Sequence, residues 1–155
     1  MTKKGICTMN MKISTKGRYA LRMLLDLAIH QDRGYIALRD IAEHQNISKK
    51  YLEQIVPLLS KSGLLRANRG YQGGYMLSKP ASKYTVGEIL RLTEGTLAPV
   101  ACLEQEYNDC PQAAECMTLS VWQGLYQVMS EYLDNITLQD IIDKDTALTG
   151  GDYCI

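Results

Sequence analysis

A glycine-rich hairpin follows directly on an amphipathic helix in this chain, and that junction rules out most of the folds otherwise open to it. The segment Ala67-Asn68-Arg69-Gly70-Tyr71-Gln72-Gly73-Gly74 separates two short extended runs, Leu64-Leu65-Arg66 and Tyr75-Met76-Leu77. Glycines at 70, 73 and 74 let the tip turn tightly and come close to other backbone, because they lack a Cβ. Ahead of the hairpin, Leu52, Ile55, Val56 and Leu59 fall at i, i+3, i+4 and i+7. That spacing buries one stripe of a helix starting at Ser48 and leaves Lys49, Lys50 and Glu53 outside. Pro57 should bend this helix locally, and Gly63 should close it.

Two further helices precede it. Ser14 or Thr15 can cap a first helix through Tyr19, Leu21, Leu24, Leu25, Ala28 and Ile29, with Gly34 expected to end it. A second spans about Leu38 to Gln45, with Leu38, Ile41 and Ala42 inward and Asn46 supplying a turn that tolerates positive φ. Three helices, a short turn between the second and third, then a hairpin: this is the order of a winged helix-turn-helix. The expected fold class is mainly α, a winged helix-turn-helix DNA-binding domain with a long C-terminal dimerisation helix.

Beyond the hairpin, Thr85-Val86-Gly87-Glu88 has the form of a capping box opening a helix through Ile89, Leu90 and Leu92, ended by Gly95. A loop from about Leu97 to Cys116 leads to a long helix from Thr118. Val121, Trp122, Leu125, Val128, Met129, Tyr132 and Ile136 form its apolar stripe. The small domain is already complete at that point, so the stripe reads as a dimer seam. Thr137-Leu138-Gln139-Asp140 caps a last short helix. The expected organisation is a disordered extension over 1–10, a DNA-binding domain over 11–95, a cysteine-containing sensor loop over 96–117, a dimerisation helix with a short terminal helix over 118–145, and a disordered tail over 146–155.

Charge is divided along the chain although it sums to zero. Residues 1–70 carry a formal +8 and residues 71–155 a formal −8, which suits a first half facing a polyanion. With 155 residues there is little room for a large catalytic domain. No nucleophile with an accompanying base, phosphate loop or spaced pair of catalytic carboxylates is present. An enzyme is therefore not expected. No apolar run approaches the roughly 18 residues of a membrane span and no signal-peptide pattern is seen, so a cytoplasmic protein without a membrane partner is expected. In that compartment the five cysteines favour metal binding or redox sensing over disulfides. Cys7 and Cys154 lie near the termini, and only Cys102, Cys110 and Cys116 share one segment.

The string Met11-Lys12-Ile13-Ser14-Thr15-Lys16-Gly17-Arg18-Tyr19-Ala20-Leu21, then Tyr51-Leu52-Glu53-Gln54, then Arg69-Gly70 with Gly73-Gly74-Tyr75, closely resembles the Rrf-type transcriptional regulators. That family has IscR-like, NsrR-like and CymR-like branches, and the resemblance, nearest to the IscR-like iron-sulfur regulators, covers residues 11 to about 142. Met11 matches the family's usual start. The resemblance implies a homodimer, most often a repressor, in which the wing and third helix of each subunit reach double-stranded operator DNA.

A recognition helix presents its N-terminal side chains to base edges, which singles out Ser48, Lys49, Lys50 and Glu53. Glu53 can accept from cytosine N4 or stay a solvated helix residue. Arg69 resembles the family's minor-groove arginine, with Gly70 beside it. Lys16, Arg18 and Tyr19 resemble its phosphate contacts, which set register without reading sequence. Leu52 and Tyr75 are expected in the core.

Seven residues separate Cys102 from Cys110 and five separate Cys110 from Cys116. Iron-sulfur clusters are commonly held by such thiolates, and no zinc-ribbon Cys-x-x-Cys occurs. The family's sensors carry three cysteines here with similar spacing, although the first gap is longer in this chain. The resemblance implies an iron-sulfur cluster, 2Fe-2S before 4Fe-4S. The fourth ligand is open. Where the family places a histidine three residues after the third cysteine, this chain has Leu119. Where other members recruit an acidic or histidine ligand from the first helix, it has Arg18 and Arg22. Glu104, Glu106, Asp109, Glu115, an external thiol or water, and a tail cysteine remain. His30 and His44, the only histidines, fall in the DNA-binding half. The competing expectation is a cluster-free regulator of the same family, controlled by thiol oxidation or a protein partner; a zinc-stabilised DNA-binding protein is a third reading.

Overall fold

A computed structural model describes residues 12–149. The expectations for the 1–10 extension, Cys7, Cys154 and the last residues of the tail lie outside it. The order is α1 (Thr15–Ile29), α2 (Leu38–Gln45), α3 (Lys49–Lys61), β1 (Leu65–Asn68), β2 (Gly74–Leu77), α4 (Val86–Glu94), α5 (Leu119–Asp134) and α6 (Leu138–Thr149). Among the described residues no helix is long and apolar enough to cross a membrane.

The first helix is the hub: Ala20, Met23, Leu24, Leu27 and Ala28 are buried along one broad face, and Asp26 is buried outside that stripe. It packs against α2, α3, α4, α6 and β2. Ser14 caps it, its hydroxyl oxygen accepting from Gly17 N at 3.1 Å. The same hydroxyl donates to Glu94 Oε1 at 2.7 Å, so the cap also ties α1 to the end of α4. The helix ends at His30 and not at Gly34. A single 3-10 turn, Gln31–Arg33, intervenes, and Gly34 at φ 75° closes that turn instead.

Helices α2 and α3 form as their sequence predicts. Asn46 takes the left-handed conformation, φ 51°. Ser48 caps α3 by accepting from Tyr51 N at 3.1 Å. Leu52, Ile55, Val56 and Leu59 are its buried residues, and Pro57 sits inside it on the exposed side. Proline has no N–H for the Glu53 carbonyl, and solvent exposure makes that loss tolerable.

The wing is an antiparallel pair in register Leu65 with Leu77 and Asn68 with Gly74, one to two residues longer than expected in β1. It also has a third edge. Ile36 exchanges both backbone hydrogen bonds with Tyr75, each 2.9 Å, joining the hairpin to the segment before α2. A Cβ on Gly74 would stand 2.5 Å from the Ile36 carbonyl carbon and 2.9 Å from Ala37 N, both backbone. Gly74→Ala should therefore lower stability by about 1–3 kcal/mol, because backbone cannot step aside for the methyl. Urea denaturation checks this, and an unchanged midpoint would mean the bridge is not closed in solution.

The C-terminal half departs further from expectation. Thr85 caps α4, accepting from Glu88 N at 3.1 Å. The return half of the box is not made: both Glu88 carboxylate oxygens lie 3.0 Å from Lys79 Nζ. The complete box is at α6, where Thr137 N donates to Asp140 Oδ2 at 2.8 Å and Asp140 N to Thr137 Oγ1 at 3.1 Å. The Thr137 hydroxyl, 2.7 Å from Asp140 Oδ2, and then the Thr137 N–H hold the Asp140 carboxyl below the usual carboxylate range. The last helix runs on to Thr149, so residues 146–149 are helical and not disordered.

The apolar stripe of α5 is only partly free. A small second core of Val86, Leu90 and Leu97 takes in Tyr126, Leu133 and Ile136, which lies just past the end of α5. The Arg91 guanidinium fastens α5 to α4 through two bonds to Asp134, 2.6 and 2.9 Å, and keeps that carboxyl below its ordinary range. The opposite face carries Val121, Val128 and Tyr132, 59%, 65% and 65% exposed.

A candidate DNA-reading surface and a cysteine loop

The capped start of α3 presents Ser48, Lys49, Lys50 and Glu53 to solvent. Lys49 Nζ lies 3.5 Å from Glu53 Oε1. Both side chains are more than half exposed, so the pair contributes little to stability and is free to exchange for other partners. The end of a helix with unpaired N–H groups favours a polyanion.

Helix α1 contributes a second set. The Tyr19 ring meets Tyr51 edge-on at 5.2 Å, which joins α1 to the first turn of α3. The Arg22 guanidinium lies 5.6 Å from the Tyr19 ring centre. Its Nε donates to Gln45 Oε1 at 3.2 Å, and its other arm bonds the Gln45 carbonyl. Sequence reasoning treated Arg22 only as an unsuitable metal ligand. Here it stitches α1 to the end of α2, beside Tyr19; spacing one turn beyond Arg18 was the available signal. Lys16 is half-buried, and exposed Arg18 bonds Thr15 Oγ1 at 3.1 Å.

Arg69 projects from the hairpin tip. It is exposed, and among the described residues no carboxylate pairs with it. Gly70 beside it has φ 120°, a conformation that strains any residue with a Cβ. Leu52 is fully buried, while Tyr75 is half-buried against the core.

The cysteine loop leaves α4 at Gly95, φ 83°. Leu97 and Ala98 are buried, so the start of the loop is anchored. Cys102 lies in the 3-10 turn Ala101–Leu103, and Cys116 directly follows another, Ala113–Glu115. Cys102 and Cys110 are half-buried and Cys116 is exposed. The Thr118 hydroxyl, 3.5 Å from Cys116 Sγ, draws that thiol below its ordinary pKa. Asn108 turns back on the loop, its Oδ1 accepting from Cys110 N at 3.0 Å. Its Nδ2 is buried without a hydrogen-bond partner. This unpaired donor shares its loop with the three thiols, and hydrogen bonds to sulfur stabilise thiolate and sulfide charge. The three sulfurs do not form a group within 4.8 Å; among the described residues only Asp26, His30 and His44 bring three such ligand atoms that close.

Residues 13–144 match a family described as the iron-dependent transcriptional regulator Rrf2. The chain belongs to the Rrf2 family of transcriptional regulators. It is 37% identical over 144 residues to the protein rrf2 of Nitratidesulfovibrio vulgaris, covering 93% of this chain and 95% of that one. Among solved structures, CymR, the global cysteine regulator of B. subtilis, has 36% identity and a TM-score of 0.71, covering 86% of this chain and 97% of its own. T. potens IscR has 36% identity and a TM-score of 0.68, covering 86% and 88%. The winged helix fold is thus that of Rrf2 regulators, which act on transcription and are not enzymes.

Proposed function

We propose that this Rrf2 protein is a homodimeric repressor whose affinity for its operator is set by an iron-sulfur cluster on Cys102, Cys110 and Cys116. The observation that carries the reading is the placement of three thiols and one orphaned amide donor on the single loop between the DNA-reading domain and α5. Such a loop has a position from which it can alter the spacing of two heads joined through α5.

Each residue then has a task. Ser48, Lys49, Lys50 and Glu53 meet base edges in the major groove, with Glu53 released from Lys49 to accept from a cytosine amine. Arg69 enters the minor groove, with Gly70 shaping the tip. Lys16, Arg18 and Tyr19 hold phosphates and fix register. The three cysteines act as thiolates toward iron, and the fourth position falls to a loop carboxylate such as Glu104, Glu106, Asp109 or Glu115, or to an exogenous ligand. A cluster incompletely held by protein is reactive toward oxygen or nitric oxide, which is the chemistry of a sensor. Binding requires the loop between Gly95 and Thr118 to close its three sulfurs together, and loss of the group lets it open.

The exposed, acidified thiol of Cys116 favours a second reading, in which the same loop signals by thiol oxidation without iron. Anaerobic purification with iron, zinc and acid-labile sulfide counted per chain separates them. Iron with sulfide, lost on Cys110→Ser, together with different operator affinities for loaded and stripped protein, supports the cluster. Protein that resists anaerobic reconstitution, but changes operator affinity on peroxide treatment, supports the thiol switch. Equal affinities in both comparisons defeat both.

Arg69→Ala should weaken operator binding by about 1–3 kcal/mol, the usual worth of a good groove contact. Titration of labelled operator at fixed salt measures it. An unchanged affinity would remove the wing from the interface.

A further inference from the structure

Asp26 is the one charged side chain buried in the core among the described residues, 1% exposed. It projects from α1 toward the last turn of α2. Its Oδ1 accepts from Gln45 Nε2 at 3.0 Å. Its Oδ2 lies 3.0 Å from His44 Nδ1 and 3.7 Å from His30 Nδ1. His30 stands one helical turn after Asp26 on α1, and His44 reaches in from α2. The two rings lie side by side, centres 4.8 Å apart and planes inclined by 32°.

His44 Nδ1 is within hydrogen-bond distance of that carboxylate oxygen, while His30 Nδ1 meets the Asp26 backbone carbonyl at 2.9 Å and would exchange that bond for an ion, so the arrangement gathers two imidazoles around one carboxylate. It is well suited to a cation. One nitrogen from each ring and one carboxylate oxygen come within 4.8 Å of one another. Tetrahedral sites with ligand bonds of about 2.0–2.1 Å have ligand-to-ligand edges of about 3.4 Å, and the observed 3.0 and 3.7 Å lie on either side of that. Small rotations of the rings seat an ion. The donor set of two imidazoles and one carboxylate matches first-row divalent metals. The surroundings also fit. Gln45 orients the carboxylate and is itself held by Arg22 Nε at 3.2 Å, an outer layer of the kind that steadies metal ligands. The His30 and His44 side chains are 22% and 34% exposed, and a surface cavity walled by Arg33, Tyr35, Ile36 and Asp40 opens at His44. That leaves an entry path and room for water as the fourth ligand.

We propose that Asp26, His30 and His44 bind a divalent transition-metal ion of the zinc type, separate from the cysteine loop. Such an ion clamps the C-terminal turns of α1 and α2 together, two residues before the left-handed Asn46 that leads into α3. Metal binding thereby stabilises the DNA-reading head whatever the state of the loop.

The test uses full-length, chelator-treated protein and Zn2+ as the only ligand, with Co2+ as a spectroscopic substitute. All five cysteines are replaced by serine in one version, removing thiol sites. Expected are one zinc per chain in that version, a rise of several degrees in its unfolding midpoint on zinc addition, and at least tenfold weaker zinc binding in both His30→Ala and His44→Ala. Both histidines reach the surface, so these variants keep the fold, which circular dichroism confirms; Asp26→Asn is avoided because it alters the core. In the unsubstituted chain, cobalt bound here shows d–d bands that persist when thiols are alkylated. The proposal is overturned if the thiol-free protein takes up no zinc, or if both histidine variants bind it as tightly as their parent.

Discussion

Replacing Tyr84 with alanine should destabilise the protein by about 3–5 kcal/mol, the usual cost of emptying a large buried aromatic site. Tyr84 is fully buried, the largest side chain that is. Its hydroxyl donates to the Leu64 carbonyl at 2.6 Å and accepts from Ser78 N at 2.9 Å. It thereby grips the two feet of the wing, just before β1 and just after β2. Its own carbonyl accepts from Leu138 N at 3.0 Å, at the start of α6. Tyr84→Phe keeps the ring and removes only the hydroxyl, leaving the Leu64 carbonyl and the Ser78 N–H with the 3.3 Å bond that they make to each other. That should cost about 0.5–1.5 kcal/mol, the net worth of a typical hydrogen bond. Chemical denaturation measures both, and the wing should lose amide-exchange protection in step. A Tyr84→Ala midpoint equal to that of the parent would show that the wing is held some other way.

On the proposed homodimer, Val128→Asp should convert dimer to monomer and weaken operator binding. Val121, Val128 and Tyr132 share the face of α5 that their own chain leaves exposed, while Tyr126 and Leu133 point into the second core. In a two-fold seam each residue is used twice, so one substitution buries two carboxylates. Each costs several kcal/mol without a partner, enough to weaken association by more than about a hundredfold. Sedimentation at micromolar concentration reads the outcome. Since the α5–α4 contact runs through Arg91 and Asp134 on another face, the monomer should stay folded. A Val128→Asp protein that still sediments as its parent would put the dimer interface elsewhere.

Both predictions concern features that the residues disclose very unequally. The α5 stripe was visible as apolar spacing, yet the spacing did not reveal that α4 and Leu97 claim part of it. Tyr84 carried no signal at all, because its value lies in partners that stand 6 and 20 residues away, flanking different strands. The cysteine trio and the glycine tip were legible because thiols and missing Cβ atoms announce chemistry by residue type. His30 and His44 fall in the DNA-binding half and match no ligand of the family, and nothing in a spacing of 14 residues says that they meet.

Local order along the chain decided the helices and their caps. Ser14, Ser48 and Thr85 each bond an N–H three residues on, Asn46 turns the chain within one residue, and the α3 stripe repeats every third or fourth position. Such choices depend on side chains within a turn of one another, and propensity and periodicity report them faithfully. Tertiary packing decided the rest: Glu88 taken by Lys79 and not by its own cap, Ile36 paired with Tyr75, and Asp26 set between two histidines and Gln45. In each case at least one deciding partner comes from another element, beyond the reach of spacing within a single turn.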